Sequence, residues 1–135
     1  MSLMTWNQEY SVGVRLLDQQ HKRLFELLNE LYEGLRQQRG MEVLGSVLFE
    51  MIKYTEIHFA TEERLMQQHG FAGLEAHKLE HLVLTKKVRE FQAEFQSGKA
   101  TTPINVLQFL RHWLENHILG TDKKYSSFFG TKGVR

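Results

Sequence analysis

Four segments of this sequence repeat apolar side chains at alternating spacings of three and four residues. Such spacing puts one residue of each turn on the same side of an α-helix, as in the contact seam of a helical bundle. The seam positions of the four segments, in chain order, are Leu17, His21, Leu24, Leu28, Leu31 and Leu35; Leu44, Leu48, Met51, Thr55, His58, Glu62 and Leu65; Leu74, His77, His81, Leu84, Val88, Phe91 and Phe95; and Val106, Leu110, Trp113 and His117. The pattern predicts four amphipathic helices that bury these sides against one another.

Most glycines cluster at a few places between the segments, although Gly34 and Gly45 fall inside predicted helices. Pro103 is the only proline, so long stretches of chain run without an obstacle to helix formation. We expect Asp18 to cap the first helix, Gly40 to end it in a left-handed turn, and Thr102 with Pro103 to open the fourth. The predicted helices cover about 18–38, 41–67, 73–96 and 103–119.

The linkers between these helices are only a few residues long, which makes consecutive helices antiparallel neighbours. The predicted fold class is therefore all-α, an up-down-up-down antiparallel four-helix bundle with an N-terminal arm and a short C-terminal tail. A chain of 135 residues is the size of one domain, so we expect residues 1–135 to form a single domain.

The charge balance argues against strongly charged partners. The chain carries 17 basic and 16 acidic residues, for a net charge of +1. Neither a nucleic acid nor a membrane surface is expected to bind it. The segment from Met1 to Ser11 has neither the basic start nor the apolar stretch of a signal peptide, and no window approaches 18 apolar residues. We expect a cytoplasmic protein.

Histidine occurs on the inner side of every predicted helix, and helix two adds a glutamate. A buried imidazole or carboxylate costs several kcal/mol unless something pairs with it. His58 and Glu62 are four residues apart, as are His77 and His81, so each pair lies on one helix side about a turn apart. The six inward donors are His21, His58, Glu62, His77, His81 and His117. This joint pattern favours a metal site over the alternative of a metal-free polar network.

The remaining polar residues of interest are expected to lie away from that site. His69 falls in a linker and His112 one position off the seam, so neither is predicted to bind metal. Glu63 should point to solvent. The chain has no cysteine, so any metal must be held by nitrogen and oxygen, which suit iron, manganese or zinc.

The order of these donors resembles that of the hemerythrin family, in particular the single-domain bacterial hemerythrins. The resemblance covers most of the chain, and an N-terminal arm with Trp6 and Val12-Gly13-Val14 is also similar. The motifs that carry it are Asp18-x-x-His21, His58-Phe59-x-x-Glu62-Glu63, His77-x-x-x-His81 and Trp113-Leu114-x-x-His117-Ile118-x-x-x-Asp122.

The resemblance implies a centre of two iron ions joined by an oxo or hydroxo bridge, and it adds Asp122 as a seventh ligand. Seven ligands exceed what one ion of four to six coordination needs. By the same resemblance, His77, His81 and His117 hold one iron, His21 and His58 hold the other, and Glu62 and Asp122 bridge them. The second iron keeps an open position.

The resemblance further implies that dioxygen binds reversibly at this position, for storage, delivery or sensing of oxygen, in a protein that is not an enzyme. A protein that receives the oxygen remains unidentified. The side chains expected to form a dry oxygen pocket are Leu24, Phe59, Trp113, Leu114 and Ile118.

Two other functions stay open. One is a di-iron oxidase or peroxide-handling enzyme, although ferritin-like bundles place a glutamate three residues before a histidine and no histidine here has one. The other is an interaction protein that responds to iron or nitric oxide, because any metal bound only by the folded state stabilises the fold.

Overall fold

The computed structural model describes residues 3–98 and 102–135, and within these ranges all regular structure is helical. A short 3-10 turn, Gln8–Tyr10, precedes four long helices: α1 (Arg15–Arg36), α2 (Gly40–His69), α3 (Leu74–Gln96) and α4 (Pro103–Asn116). A π-helical turn, His117–Asp122, and a further helix, α5 (Lys123–Thr131), complete the chain. The predicted all-α four-helix fold is confirmed.

The predicted seams form the core between the helices. Helix α1 packs against α2 and α4, α2 packs against α3, and the rings of Phe91 and Phe109 join α3 to α4 with centroids 5.7 Å apart. The seam leucines in the middle of α1 and α2 are fully buried, and each contributes about 1.5–3 kcal/mol through burial. Some seam positions are only partly buried, namely Leu35, Leu65, Leu74, Phe95 and Trp113. None of the helices described has the length and apolar character needed to cross a bilayer.

The start of α1 differs from the prediction. The helix begins at Arg15 with Val14 at the N-cap, so Asp18 lies inside the first turn rather than capping it. Its carboxylate instead accepts hydrogen bonds from the Ser11 hydroxyl at 2.6 Å and from the Val12 backbone N–H at 2.8 Å. Asp18 therefore ties the N-terminal segment to the bundle.

Gly40 also has a different role from the one predicted. Gln38, with φ of 60°, takes the left-handed conformation after α1, while Gly40 is the first residue of α2. A Cβ atom on Gly40 would lie 2.9 Å from a methyl carbon of Leu35 and 3.1 Å from the ring of Pro103. Glycine is needed here because α1, α2 and α4 approach each other closely.

The C-terminal segment is helical, not the short tail that was expected. The α-helical geometry of α4 ends at Asn116, before the predicted Leu119, and the chain continues through the π-helical turn into α5. Tyr125 and Phe129 of α5 are fully buried. They form a second, smaller apolar cluster with Val12, Val14, Leu17 and Met66. Helix α5 thus closes the end of the bundle that carries the N-terminal arm.

The close approach of α1 and α2 leads to a stability prediction. A Cβ atom on Gly34 would lie 2.4 Å from Cγ2 of Val43, a stiff β-branched side chain. We expect Gly34→Ala to lower the free energy of unfolding by about 1–3 kcal/mol through overpacking, although alanine favours a helix by about 1 kcal/mol. Urea denaturation measures the change.

Gly130→Ala is the matched control, because Gly130 lies in α5 and a methyl group added there would meet no neighbouring heavy atom within 4 Å. This variant should be neutral or gain up to about 1 kcal/mol of stability. Equal shifts in the same direction for both variants would contradict the proposed steric cause.

Candidate metal centre

All seven residues predicted to bind metal lie together in the bundle interior. Helix α1 supplies His21, α2 supplies two donors, α3 supplies two, and the π-helical turn supplies His117 and Asp122. Each side chain is at most 3% exposed. Polar side chains so deeply buried must compensate one another or hold a ligand.

The donors form two overlapping groups in which the ligand atoms lie within 4.8 Å of one another. One group contains three histidines and the other contains two. The larger group is Glu62, His77, His81, His117 and Asp122, and the smaller is His21, His58, Glu62 and Asp122. Both carboxylates belong to both groups, so the arrangement is that of two adjacent cation positions with shared anions.

Asp122 presents a different oxygen to each group, whereas Oε1 of Glu62 faces the two-histidine group and also lies 3.8 Å from Nε2 of His81. Oδ1 of Asp122 lies 2.8 Å from Nε2 of His77 and 3.0 Å from Nε2 of His117, while Oδ2 lies 3.0 Å from Nε2 of His21. Oε1 of Glu62 lies 2.5 Å from Nε2 of His58, and Oε2 lies 3.5 Å from Nε2 of His77. This placement of the oxygens suits carboxylates that bridge two metal ions.

Among the described residues, the buried atoms that face the centre form no hydrogen bond, although some of them lie within 3.0 Å of one another. They include both oxygens of Glu62 and Asp122 and the Nε2 atoms of four histidines, His21, His77, His81 and His117. An unsatisfied buried polar group costs about 1–3 kcal/mol, and more if charged. Cations between these lone pairs would satisfy them together, so the residues fit a metal centre of nitrogen and oxygen ligands.

The electrostatics of the centre divide its members into charged and neutral groups. Burial raises the pKa of the Glu62 and Asp122 carboxyls, but neighbouring histidines outweigh burial and hold each pKa below its ordinary value. Burial lowers the pKa of His81 to about 3. Burial also acts to lower the pKa of His77, but contacts with the two carboxylates raise it to about 9. In the absence of metal, the protonated His77 partly neutralises the two carboxylates.

Three ligand histidines have a hydrogen-bond partner on the outer ring nitrogen, Nδ1, and sequence reasoning missed all three partners. Gln20 lies 2.7 Å from Nδ1 of His58. Glu63 lies 2.7 Å from Nδ1 of His81, and Glu80 lies 3.1 Å from Nδ1 of His117. The expectation that Glu63 points to solvent is therefore wrong. Its carboxylate turns towards α3 because the buried ring of His81 offers it an N–H donor.

A simple signal could have identified these partners. Each is adjacent in sequence to a predicted ligand, in the pairs Gln20-His21, Glu62-Glu63 and Glu80-His81. The partner contacts a histidine of a different element from its own. Their position next to a predicted ligand could therefore have identified these three residues as candidates. Only the packing of the helices shows which histidine each of them contacts.

Tyr125 is a further polar residue beside the centre that the sequence pattern did not indicate. Its hydroxyl is buried without a hydrogen-bond partner among the described residues, and its ring centroid lies 5.5 Å from that of His77. Burial, together with the negative charges of Asp122 and Glu62, raises the pKa of its hydroxyl well above the ordinary value. The group therefore stays protonated and can act only as a neutral donor or acceptor.

The π-helical turn explains why Asp122 lies off the seam pattern and yet faces the centre. In an α-helix, residues five positions apart point about 140° away from each other. In a π-helical turn the hydrogen bond joins residues five apart, so His117 and Asp122 fall on the same side. The extra residue in this turn brings a second donor into the site.

The predicted oxygen-pocket residues pack around the same centre. Leu24, Leu114 and Ile118 are buried in the main core cluster, together with Phe59. The ring of Phe59 stacks on His81 with centroids 3.7 Å apart, and the half-buried Trp113 stacks on His117 at 4.2 Å. The two remaining histidines, the partly buried His69 and the exposed His112, lie outside both donor groups.

Comparison with known proteins identifies relatives that match most of the chain. The family model described as the hemerythrin HHE cation binding domain matches residues 12–128. The bacteriohemerythrin of Stenotrophomonas maltophilia is 37% identical over 126 residues, which cover 93% of this chain and 81% of that protein. The myohemerythrin of Riftia pachyptila is 32% identical, covering 89% and 88%. A crystal structure of wild-type hemerythrin, 35% identical, covers 93% of this chain and 97% of its own with a TM-score of 0.85.

The π-helical turn yields a prediction about metal binding. Insertion of one alanine after Gly120 would lengthen the spacing between His117 and Asp122 to six residues, which places the two side chains about 120° apart in an α-helix. The position is exposed and open, so the insertion itself meets no steric obstacle. We expect the number of Co²⁺ ions bound per chain, measured by titration and elemental analysis, to fall.

Gly120→Ala is the control for this insertion, because it keeps the chain length and adds a methyl group where there is free space. This variant should bind as much Co²⁺ as the unmodified protein, and circular dichroism should find both variants helical. A folded insertion variant that binds Co²⁺ as tightly as Gly120→Ala would exclude this role of the turn.

Proposed function

This chain belongs to the hemerythrin family, and from that premise we propose that it is a non-haem di-iron protein that binds dioxygen reversibly. Its role would be the storage, delivery or sensing of oxygen. The observation that carries the proposal is the pair of overlapping donor groups, which share two buried carboxylates whose oxygens have no hydrogen-bond partner among the described residues.

We assign the ligands by the two donor groups. His77, His81 and His117 hold one iron, His21 and His58 hold the other, and Glu62 and Asp122 contribute one oxygen to each. The distances from the carboxylate oxygens to the histidine nitrogens support this division. If two iron ions with one solvent bridge were bound, the three-histidine group would supply one donor more than the two-histidine group, so the open ligand position would belong to the iron held by His21 and His58.

Bound ferrous iron supplies the electrons that make dioxygen binding reversible. The chain itself must keep water and external reductants away, because a wet site favours irreversible side reactions. Ile118 is fully buried, and Leu24 and Leu114 are each 1% exposed, so these three apolar side chains, all within three residues of a proposed ligand, are shielded from water. These side chains therefore both pack the core and help to exclude water from the metal centre.

The ligand chemistry favours oxygen binding over the enzymatic alternative. Five of the seven proposed ligands are neutral imidazoles, whereas ferritin-like di-iron proteins use mainly glutamates, including Glu-x-x-His motifs. Asp18 occupies the equivalent offset before His21, but its carboxylate is bound to Ser11 and Val12. It is therefore not available to a metal.

Oxygenation of the iron-loaded protein tests the proposal directly. The protein is loaded with ferrous iron without air, the iron per chain is measured, and oxygen is admitted and removed while the visible spectrum is recorded. We expect two iron ions per chain and an absorption band that appears with oxygen and disappears on its removal. A single irreversible conversion would instead support oxidase chemistry.

Two histidine variants serve as a matched pair in this experiment. His58→Ala should lose the iron of the two-histidine position and the reversible band, because its Nε2 is one of the two imidazole donors there. His112→Ala, which removes an exposed histidine from α4, should keep both. Loss of iron from the His112 variant would contradict the ligand assignment.

The dryness of the pocket can be tested separately. Ile118→Thr places a hydroxyl group among buried apolar side chains, keeps the β-branch and removes the terminal methyl group. We expect this variant to bind two iron ions but to lose its reversible band over fewer oxygenation cycles, since the hydroxyl can hold water beside the centre. Ile104→Thr, on the exposed face of α4 at 52% exposure, should cycle like the unmodified protein. Equal cycling of the two variants would argue against a role for Ile118 in excluding water.

A further inference from the structure

The outer ring nitrogens of the ligand histidines face groups of different charge. In the three-histidine group, Nδ1 of His81 and Nδ1 of His117 each contact a carboxylate, from Glu63 and Glu80. In the two-histidine group, Nδ1 of His58 contacts the neutral amide of Gln20. Nδ1 of His21 has no hydrogen-bond partner among the described residues. Among the described residues, the charged partners of the outer ring nitrogens thus lie on the three-histidine side of the centre.

Neighbouring hydroxyl groups hold two of these partners in their orientation. The amide nitrogen of Gln20 lies 3.4 Å from the hydroxyl oxygen of Thr61, which leaves the amide oxygen to face His58. The Thr121 hydroxyl lies 2.7 Å and 2.9 Å from the two oxygens of Glu80. Thr121 belongs to the same turn as His117, so the carboxylate is held between a hydroxyl and a ring nitrogen of one short segment.

These contacts determine the tautomer of each ring and its strength as a donor. A carboxylate or an amide oxygen can only accept, so Nδ1 of each ring carries the proton and Nε2 is free to face the centre. A carboxylate draws that proton more strongly than an amide does, and this raises the basicity of the ring and the strength of Nε2 as a ligand. Equivalent imidazoles therefore become unequal ligands.

We propose that Glu63 and Glu80 make the three-histidine position the tighter and more electron-rich of the two, while the neutral Gln20 leaves the two-histidine position weaker. This inference rests on the proposed di-iron function and adds three positioning residues to it. They act through the histidines that they contact and do not touch the metal positions themselves. Unequal positions have a use in a reversible centre, because the weaker-donor side keeps the open ligand position while the other side holds the centre together.

Calorimetric titration of the metal-free protein with Co²⁺ tests the inference without any oxygen chemistry. Two binding steps are expected, with the tighter step at the five-donor group. Glu80→Gln and Glu63→Gln keep the size and the hydrogen-bonding oxygen but remove the charge. Each should weaken the tighter step about tenfold or more and leave the weaker step unchanged.

One further variant tests the two-histidine side, and a control tests whether removing a carboxylate elsewhere on the surface has any effect. Gln20→Glu places a carboxylate beside His58 and should tighten the weaker step. Glu42→Gln removes a carboxylate from the first turn of α2 that is 67% exposed, and should change neither step. Thermal melting of each metal-free variant establishes that it is folded before the titration.

A second readout follows the iron-loaded protein by potentiometry. Loss of the Glu80 charge should weaken the binding of ferric iron at the three-histidine position more than the binding of ferrous iron. For each factor of ten by which the loss of ferric affinity exceeds the loss of ferrous affinity, the lower of the two reduction potentials rises by about 59 mV. A merely structural role for Glu80 would not shift one potential selectively.

The outcomes separate this inference from the proposed function. If the unmodified protein binds fewer than two metal ions, the di-iron proposal itself fails. If it binds two, but Glu80→Gln and Glu63→Gln change neither step or weaken both equally, the di-iron function stands and the inference is wrong. Selective weakening of the tighter step, with tightening of the weaker step by Gln20→Glu, supports it.

Discussion

The burial of seven ionisable or polar ligand groups at one place is the constraint on which the rest of this structure depends. Two carboxylates with no hydrogen-bond partner among the described residues, surrounded by five imidazoles, would cost the fold several kcal/mol if nothing compensated them. The apolar seams therefore do more than hold four helices together. They fix the rotation of each helix so that its donors meet at two cation positions, and this explains why most seam positions beside the donors are fully buried.

The helices are also linked through residues that lie next to the ligands. Three adjacent pairs, Gln20-His21, Glu62-Glu63 and Glu80-His81, have a member in the centre and a member that contacts a histidine of another element. Successive residues on a helix point about 100° apart, so one helix can reach the centre and its neighbour at once. A rotation of any of these helices would break an inner and an outer contact together. The packing and the ligand geometry are therefore determined jointly.

Sequence periodicity was sufficient to predict the four regular helices and the donors on their seams. The prediction failed where the chain departs from a regular α-helix. Six of the donors follow the seam spacing, and periodicity alone predicts that they are buried. Asp122 does not, because the π-helical turn changes the period just before it, and only family resemblance pointed to it. The helical conformation of Lys123–Thr131 was missed for a related reason, since Gly120 looked like a helix end. Glu63 was predicted to face solvent from the spacing within α2 alone, but its carboxylate turns towards His81 on α3.

In the C-terminal segment, packing against distant parts of the chain offsets the unfavourable backbone geometry of the π-helical turn. A π-helical turn is rare because its backbone geometry is less favourable than that of an α-helix. Here it is flanked by buried contacts on both sides: His117 and Asp122 enter the donor groups, and Tyr125 and Phe129 pack on the N-terminal arm. The Ser126 hydroxyl adds a hydrogen bond to the Val12 carbonyl, 114 residues away in sequence. Cations at the centre would hold the turn from one side while the apolar cluster holds it from the other. The last ligand is therefore positioned by residues at both ends of the chain, which no pattern within a single helix could encode.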